Sequence, residues 1–183
     1  MRDDQSSKDL TPKPNWLNRW GFTLEGWKTG QRGEYLVLLQ GLLLLGFILL
    51  PVVPVAGVTS SGFWQIVTAI VAAGLGLMAV VLVAKGLIDL GQNLTPLPYP
   101  KLEGNLVQTG VYGIVRHPLY SGLILAALGW AIFQFSLFHL IGTAVLFSFF
   151  DFKARREETW LNEKYPGYGD YQHRVKKLLP GLY

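Results

Sequence analysis

Two clusters in this 183-residue chain have side chains able to do chemistry. The first is Gly110 to Gly122, GVYGIVRHPLYSG, with the hydroxyls of Tyr112 and Tyr120, the cation Arg116 and the imidazole of His117. The second follows the last apolar run: Arg155, Arg156, Glu157 and Glu158, then Tyr165, Tyr168 and Tyr171, with Pro166, Gly167 and Gly169 between them. Taken singly these residues have plain roles. An arginine at a helix end snorkels, tyrosines form an interfacial belt, and paired charges after a helix make a solvated face. Clustered, and held by prolines and glycines, they offer groups for proton transfer, a bidentate partner for a carboxylate, and aromatic faces for a cation.

Other chemistries lack their residues. There is no G-x-S-x-G nucleophile turn and no His/Glu pair at zinc-protease spacing. The absence of cysteine excludes disulfides, thiolate metal sites and cysteine nucleophiles. Gly74 and Gly76 lie in an apolar run with no strand before them, so they do not form a nucleotide loop. His139 stands alone in an apolar helix and reads as structural. The net charge of +4 is carried beside apolar spans, which fits anionic lipid head groups rather than nucleic acid.

The elements that must position the two clusters are membrane helices. Half of the residues are hydrophobic and only 15% are charged, against roughly 25% in a soluble protein. The start of the chain, with Arg2, Asp3 and Asp4, does not read as a signal peptide. Residues 1–33 read as a polar N-terminal segment lying in the membrane interface. Trp16 and Trp20 are placed on one helical face, and Leu17, Phe22 and Trp27 stand close by. A first span runs from Tyr35 to Val58; its core, Leu36 to Leu50, is interrupted only by Gln40, and Pro51 and Pro54 bend or end it. A second runs from Phe63 to Leu90, with Ala69, Ala73 and Leu77 as a stripe for close helix contact.

Residues 91–117, rich in Pro and Gly, form a loop long enough to be functional in its own right. The next 32 residues, Pro118 to Phe149, contain no Asp, Glu, Lys or Arg. One helix of that length would reach about 48 Å against a hydrocarbon core of about 30 Å. The run therefore divides into two short helices, about 118–133 and 136–152, turning near Gln134–Ser136. Pro118 suits a first helical turn. The fourth helix continues into water to about Lys164, Tyr165 to Gly169 turn, and Asp170 to Leu179 form a short amphipathic helix. In it Val175, Leu178 and Leu179 face the membrane and Arg174, Lys176 and Lys177 face head groups. The fold expected is an all-α integral membrane protein of about four transmembrane helices, the last two a short hairpin. Residues 34–183 form one domain, its cofactor-binding half about 90–183.

On this layout all sixteen Lys and Arg fall on one side of the membrane, and the turns at 51–62 and 134–136 carry none. The positive-inside rule makes that side, with both termini, cytoplasmic. The 91–117 loop and the C-terminal segment then share a face and can touch.

Three runs carry a resemblance: NLTPLPYP, LVQTGVYGIVRHPLYSG, and RREETWLNEKYPGYGDYQHRVKKLLPGL. Their common pattern is G-x-Y-x-x-x-R-H-P-x-Y-x-G, two adjacent glutamates after the last span, and a tyrosine-rich turn ending in L-x-P. Over about residues 90–182 the chain resembles the isoprenylcysteine carboxyl methyltransferase family, and related membrane methyltransferases, including phospholipid N-methyltransferases, share the pattern. The resemblance implies a membrane-embedded methyltransferase that holds S-adenosylmethionine without a Rossmann domain. Thr109, Gly110, Val111 and Tyr112, with His117 and Tyr120, would contact the cofactor, as would Glu157 or Glu158 and the turn carrying Tyr168 and Tyr171. Arg116 or Arg156 could pair with a carboxylate. For a carboxylate acceptor Arg156 would orient it; for an amine acceptor a glutamate, Glu158 among them, or His117 would serve as base. A lipophilic acceptor would enter sideways from the bilayer. The rival expectations are a NADPH-dependent sterol-type reductase on a related scaffold and a non-catalytic membrane scaffold.

Overall fold

The computed structural model describes residues 24–54, 62–101 and 103–183, and among these it is helical. The order is α1 (Leu24–Thr29), α2 (Glu34–Leu49), α3 (Gly62–Leu90), α4 (Pro118–Phe133), α5 (Leu137–Lys164) and α6 (Tyr168–Arg174). Short 3₁₀ turns at Gly91–Asn93 and Gly110–Gly113 punctuate the long loop. Among the described residues two helices are long and apolar enough to cross a membrane: α3, whose continuous helical stretch reaches Asn93, and α5; α2 and α4 are shorter and apolar. Trp16 and Trp20, the proposed interfacial pair, lie outside the described residues.

The apolar helices bury little against one another. Leu42, Ile48, Leu49, Phe63, Ile70, Leu77 and Ile88 are exposed. Helices that are apolar all round and exposed on the outside suit a hydrocarbon solvent. The α2 helix stops at Leu49, short of the expected Val58. Leu50 turns extended (φ −59°, ψ 138°) ahead of Pro51, because a residue before proline is pushed out of the helical region.

The main packing is α3 against α4, antiparallel and close. A Cβ on Gly122 would lie 2.9 Å from the Ala79 carbonyl oxygen, and one on Gly129 would lie 3.2 Å from that of Ala72. Gly86 meets Pro118 and Leu119 in the same way. The seam on α3 is therefore Ala72, Ala79 and Gly86, at seven-residue spacing, which keeps small residues facing one partner. This corrects the expected stripe of Ala69, Ala73 and Leu77: Ala73 and Leu77 are exposed, and Gly74 and Gly76 have open space beside them.

The hairpin forms as expected: α4 begins at Pro118, and Ser136 caps α5, its hydroxyl accepting from the His139 N–H. Phe135 makes the turn with a left-handed φ of 49°. The C-terminal segment departs from expectation. Its helix covers Tyr168–Arg174, and Val175 is extended. Lys176 pairs with Val115 in a parallel bridge, and Leu178 is fully buried in the core with Ile124 and Phe150 rather than facing the membrane. The backbone N–H groups of Arg116 and His117 need partners, and the carbonyls of Lys176 and Lys177, in a segment that has left the helix, supply them.

Candidate active site

The two chemical clusters meet. At the end of α3, Asp89 Oδ2 accepts from the Val111 N–H at 2.8 Å. Gly110 makes this possible: its φ is +63°, and a Cβ there would stand 2.1 Å from the same carboxylate oxygen. The 3₁₀ turn so fixed buries Tyr112, whose carbonyl accepts from the Tyr171 hydroxyl at 2.6 Å. The loop is pinned to the far end of α5 as well. Tyr165 donates to the Gly104 carbonyl at 2.6 Å, and Lys164 donates to that of Lys101.

Beneath this lies an anchor of buried charge. Glu158 Oε1 accepts from Arg116 Nε at 2.7 Å and from His117 Nε2 at 3.0 Å; its Oε2 accepts from Gln172 Nε2 at 3.0 Å. Arg116 Nη1 also donates to the carbonyls of Gln172 and Val175. The backbone N–H groups of Arg116 and His117 donate to Lys176 and Lys177. Burial would raise the Glu158 carboxyl, but the hydrogen bonds from His117 and Arg116, with the charge of Arg116, outweigh it and hold the group down at about 2.

Next to the anchor is a cavity of about 550 Å³. Its walls come from α2 (Val37, Gln40), the long loop (among them Asn93, Leu97 and Asn105), the start of α4 (Leu119, Tyr120, Leu123), α5 (Lys153, Glu157, Leu161) and the tyrosines Tyr165, Tyr168 and Tyr171. The His117 ring stacks on Tyr120 with centroids 5.3 Å apart and planes 3° from parallel, and Tyr120 stacks in turn on Phe150 at 5.1 Å. Tyr120 donates to Glu157 Oε2 at 2.8 Å. Burial, followed by the charge of Glu157 at Tyr112 and of Glu158 at Tyr168, pushes both phenols above their ordinary range. Burial does the same at Tyr171 against the opposing pull of Arg116. All three remain neutral donors across the physiological range.

Of the residues picked out in sequence, Tyr112, Arg116, His117, Tyr120, Glu157, Tyr168 and Tyr171 line this cavity. Thr109, Gly110 and Val111 do not; they shape the turn that presents Tyr112. Glu158 is buried in the anchor, so the choice left open between the two glutamates falls to Glu157 as the one facing the cavity. Arg156 is exposed and off the cavity. The reason is helical: Lys153, Glu157 and Leu161 stack at four-residue spacing, Glu158 turns about 100° to one side of that stripe, and Arg156 turns about 100° to the other. Sequence reading missed Lys153, Gln40 and Gln172. Lys153 and Gln40 carried a signal, a lone cation one turn before Glu157 and a lone amide in an apolar run.

A comparison with curated proteins finds no match. Residues 67–167 match the model of the phospholipid methyltransferase family. The match runs from the first half of α3 to the tyrosine turn and takes in most of the cavity, the Arg116–His117 pair and both glutamates. Covering more than half of the chain and the centre of its site, it shows that this protein belongs to the phospholipid methyltransferase family.

Proposed function

We propose that the chain is a membrane-embedded, S-adenosylmethionine-dependent methyltransferase acting on a lipophilic acceptor. The observation that carries this is the make-up of the cavity. A carboxylate (Glu157) and three buried tyrosines (Tyr112, Tyr168 and Tyr171) line it together with the apolar Val37 of α2 and Leu119 and Leu123 of α4. The donor set fits the cofactor. Glu157 can accept from an ammonium or from ribose hydroxyls, tyrosine faces can pack on adenine or attract a cation, and Asn93 and Asn105 offer amides. When bound, S-adenosylmethionine supplies an electrophilic methyl on a sulfonium.

The protein's own contribution is alignment and exclusion of water. The anchor holds His117 and, through its stacking, Tyr120 at one angle, and Tyr120 in turn orients Glu157. The acceptor enters between α2 and α4. A carboxylate acceptor, as the resemblance to prenylcysteine carboxyl methyltransferases suggests, needs no base. The family's description favours a second reading, a phospholipid amine, for which Glu157 or His117 would take the proton. We place both termini and the loop on the cytoplasmic side of a four-helix, multi-pass arrangement.

Calorimetry on the purified chain in detergent should show binding of S-adenosylhomocysteine, and lipid extracts incubated with isotope-labelled S-adenosylmethionine should yield one labelled lipid class by mass spectrometry. No binding and no labelled product would sink the proposal. Stabilisation by NADPH in their place would favour a reductase.

A further inference from the structure

Lys153 has no part in the anchor and none yet in the chemistry. Its side chain is only 2% exposed, yet it lines the cavity. Nζ donates to Gln40 Oε1 at 2.5 Å and lies 5.1 Å from the centre of the Tyr120 ring. An ammonium has three donors, and one is spent on Gln40. Among the described residues no carboxylate reaches ion-pair distance of it. Glu157, one turn further along α5, gives its Oε2 to the Tyr120 hydroxyl instead. Nearby cations behave otherwise. Arg155 and Lys177 both pair with Asp151, which faces the other side of α5. A lysine at the end of an apolar run ordinarily snorkels to water; this one turns inward, where an unpaired charge is costly.

A buried cation with spare donors beside an apolar passage is half of an ion pair. Lys153 stands three residues after Phe150, where the apolar part of α5 gives way to charge. In the proposed four-helix membrane arrangement that is the depth at which a lipid carries its head group. Leu123 of α4 and Val37 of α2 flank the same cavity and can follow an apolar chain outward. We infer that Lys153 and Gln40 form the subsite that receives the anionic oxygen of the lipophilic acceptor. Gln40 lies outside the span that matches the family, so the family match does not supply this pairing. Two head groups share the chemistry: a carboxylate that is itself methylated, and a phosphodiester whose attached amine is methylated. In either case the sign of the site selects against a lipid lacking the anion. The inference rests on the proposed methyltransferase reading.

The test is binding by the full chain in a nonionic detergent. Probes are a long-chain carboxylate, a phosphatidylethanolamine and a neutral long-chain alcohol, with S-adenosylhomocysteine titrated separately. One of the two probes that carry an anionic oxygen should bind about tenfold or more tighter than the alcohol, the scale of a charge-assisted hydrogen bond; which one identifies the head group. Lys153→Met should erase that preference, and Lys153→Arg should keep most of it. Gln40→Glu leaves the ammonium in place and gives it a counter-ion, so it should erase the preference too. Affinity for S-adenosylhomocysteine should be unchanged in all three. Equal binding of all three lipids by the wild-type chain, or an undiminished preference in Lys153→Met and Gln40→Glu, overturns the subsite. Failure of the wild-type chain to bind S-adenosylhomocysteine overturns the methyltransferase reading instead.

Discussion

Glu157 and Glu158 are neighbours on one helix, yet they belong to different parts of the molecule. Glu158 sits in the anchor, with both oxygens spent on Arg116, His117 and Gln172. Glu157 sits on the cavity wall, where its Oε2 accepts from Tyr120 and lies 3.7 Å from His117 Nδ1. The anchor is saturated, and its work is to tie the start of α4 to the C-terminal segment. The wall keeps unspent bonding capacity at Glu157 and Lys153. An adjacent pair of like charges thus divides between the anchor and the cavity wall because successive helical residues point about 100° apart.

The hardest test of this division is Glu158→Gln. It leaves Arg116 buried without a counter-charge and should cost about 3–5 kcal/mol of stability, read as a large fall in melting temperature in detergent. Retained stability with lost cofactor affinity would reverse the assignment. Glu157→Gln should do the opposite: little change in melting, and a loss of roughly 1.5–3 kcal/mol in S-adenosylhomocysteine affinity by calorimetry.

Acid should act through the anchor. The folded Glu158 carboxyl is depressed to about 2 from an ordinary value of 4.5. A depressed carboxyl adds stability that is complete above its unfolded value and lost as pH falls through its folded one. Melting temperature should therefore decline between about pH 4.5 and pH 2, and Glu158→Gln should flatten that decline. The smallest effect is expected at Arg156→Ala. That residue faces away from the cavity, so stability should stay within about 0.5 kcal/mol and the KM for the acceptor should not move. A raised KM would bring Arg156 back as an acceptor-orienting group.

Much of this was legible in the sequence because it depends on local chemistry. Pro118 set the start of α4 and Pro51 the end of α2, and the charge-free run announced a hairpin. The meeting of the loop with the C-terminal segment followed from placing all charge on one side. What was not legible depends on rotation about a helix axis. Ala72 or Ala73, Glu157 or Glu158, Arg156 or Lys153 differ by one position, and only the location of the neighbouring helix decides between them. The extended segment at 175–177 was hidden for a related reason. Its amphipathic residues suit a helix in isolation, and only the backbone N–H groups of Arg116 and His117, which donate to Lys176 and Lys177, make the non-helical course preferable.

The parallel pairing of Val115 with Lys176 also sets an order of events at the ribosome. Arg116 reaches the Val175 carbonyl across 59 residues of chain. At roughly 5–20 residues per second, that partner is made about 3–12 s later. Until then the start of α4 lacks its link to the C-terminal segment and is held by its packing against α3, at Gly86 and along the seam. The pocket is therefore a late product of biogenesis, completed after the hairpin is in place. A chain cut before residue 175 should still insert its helices and still lack a site.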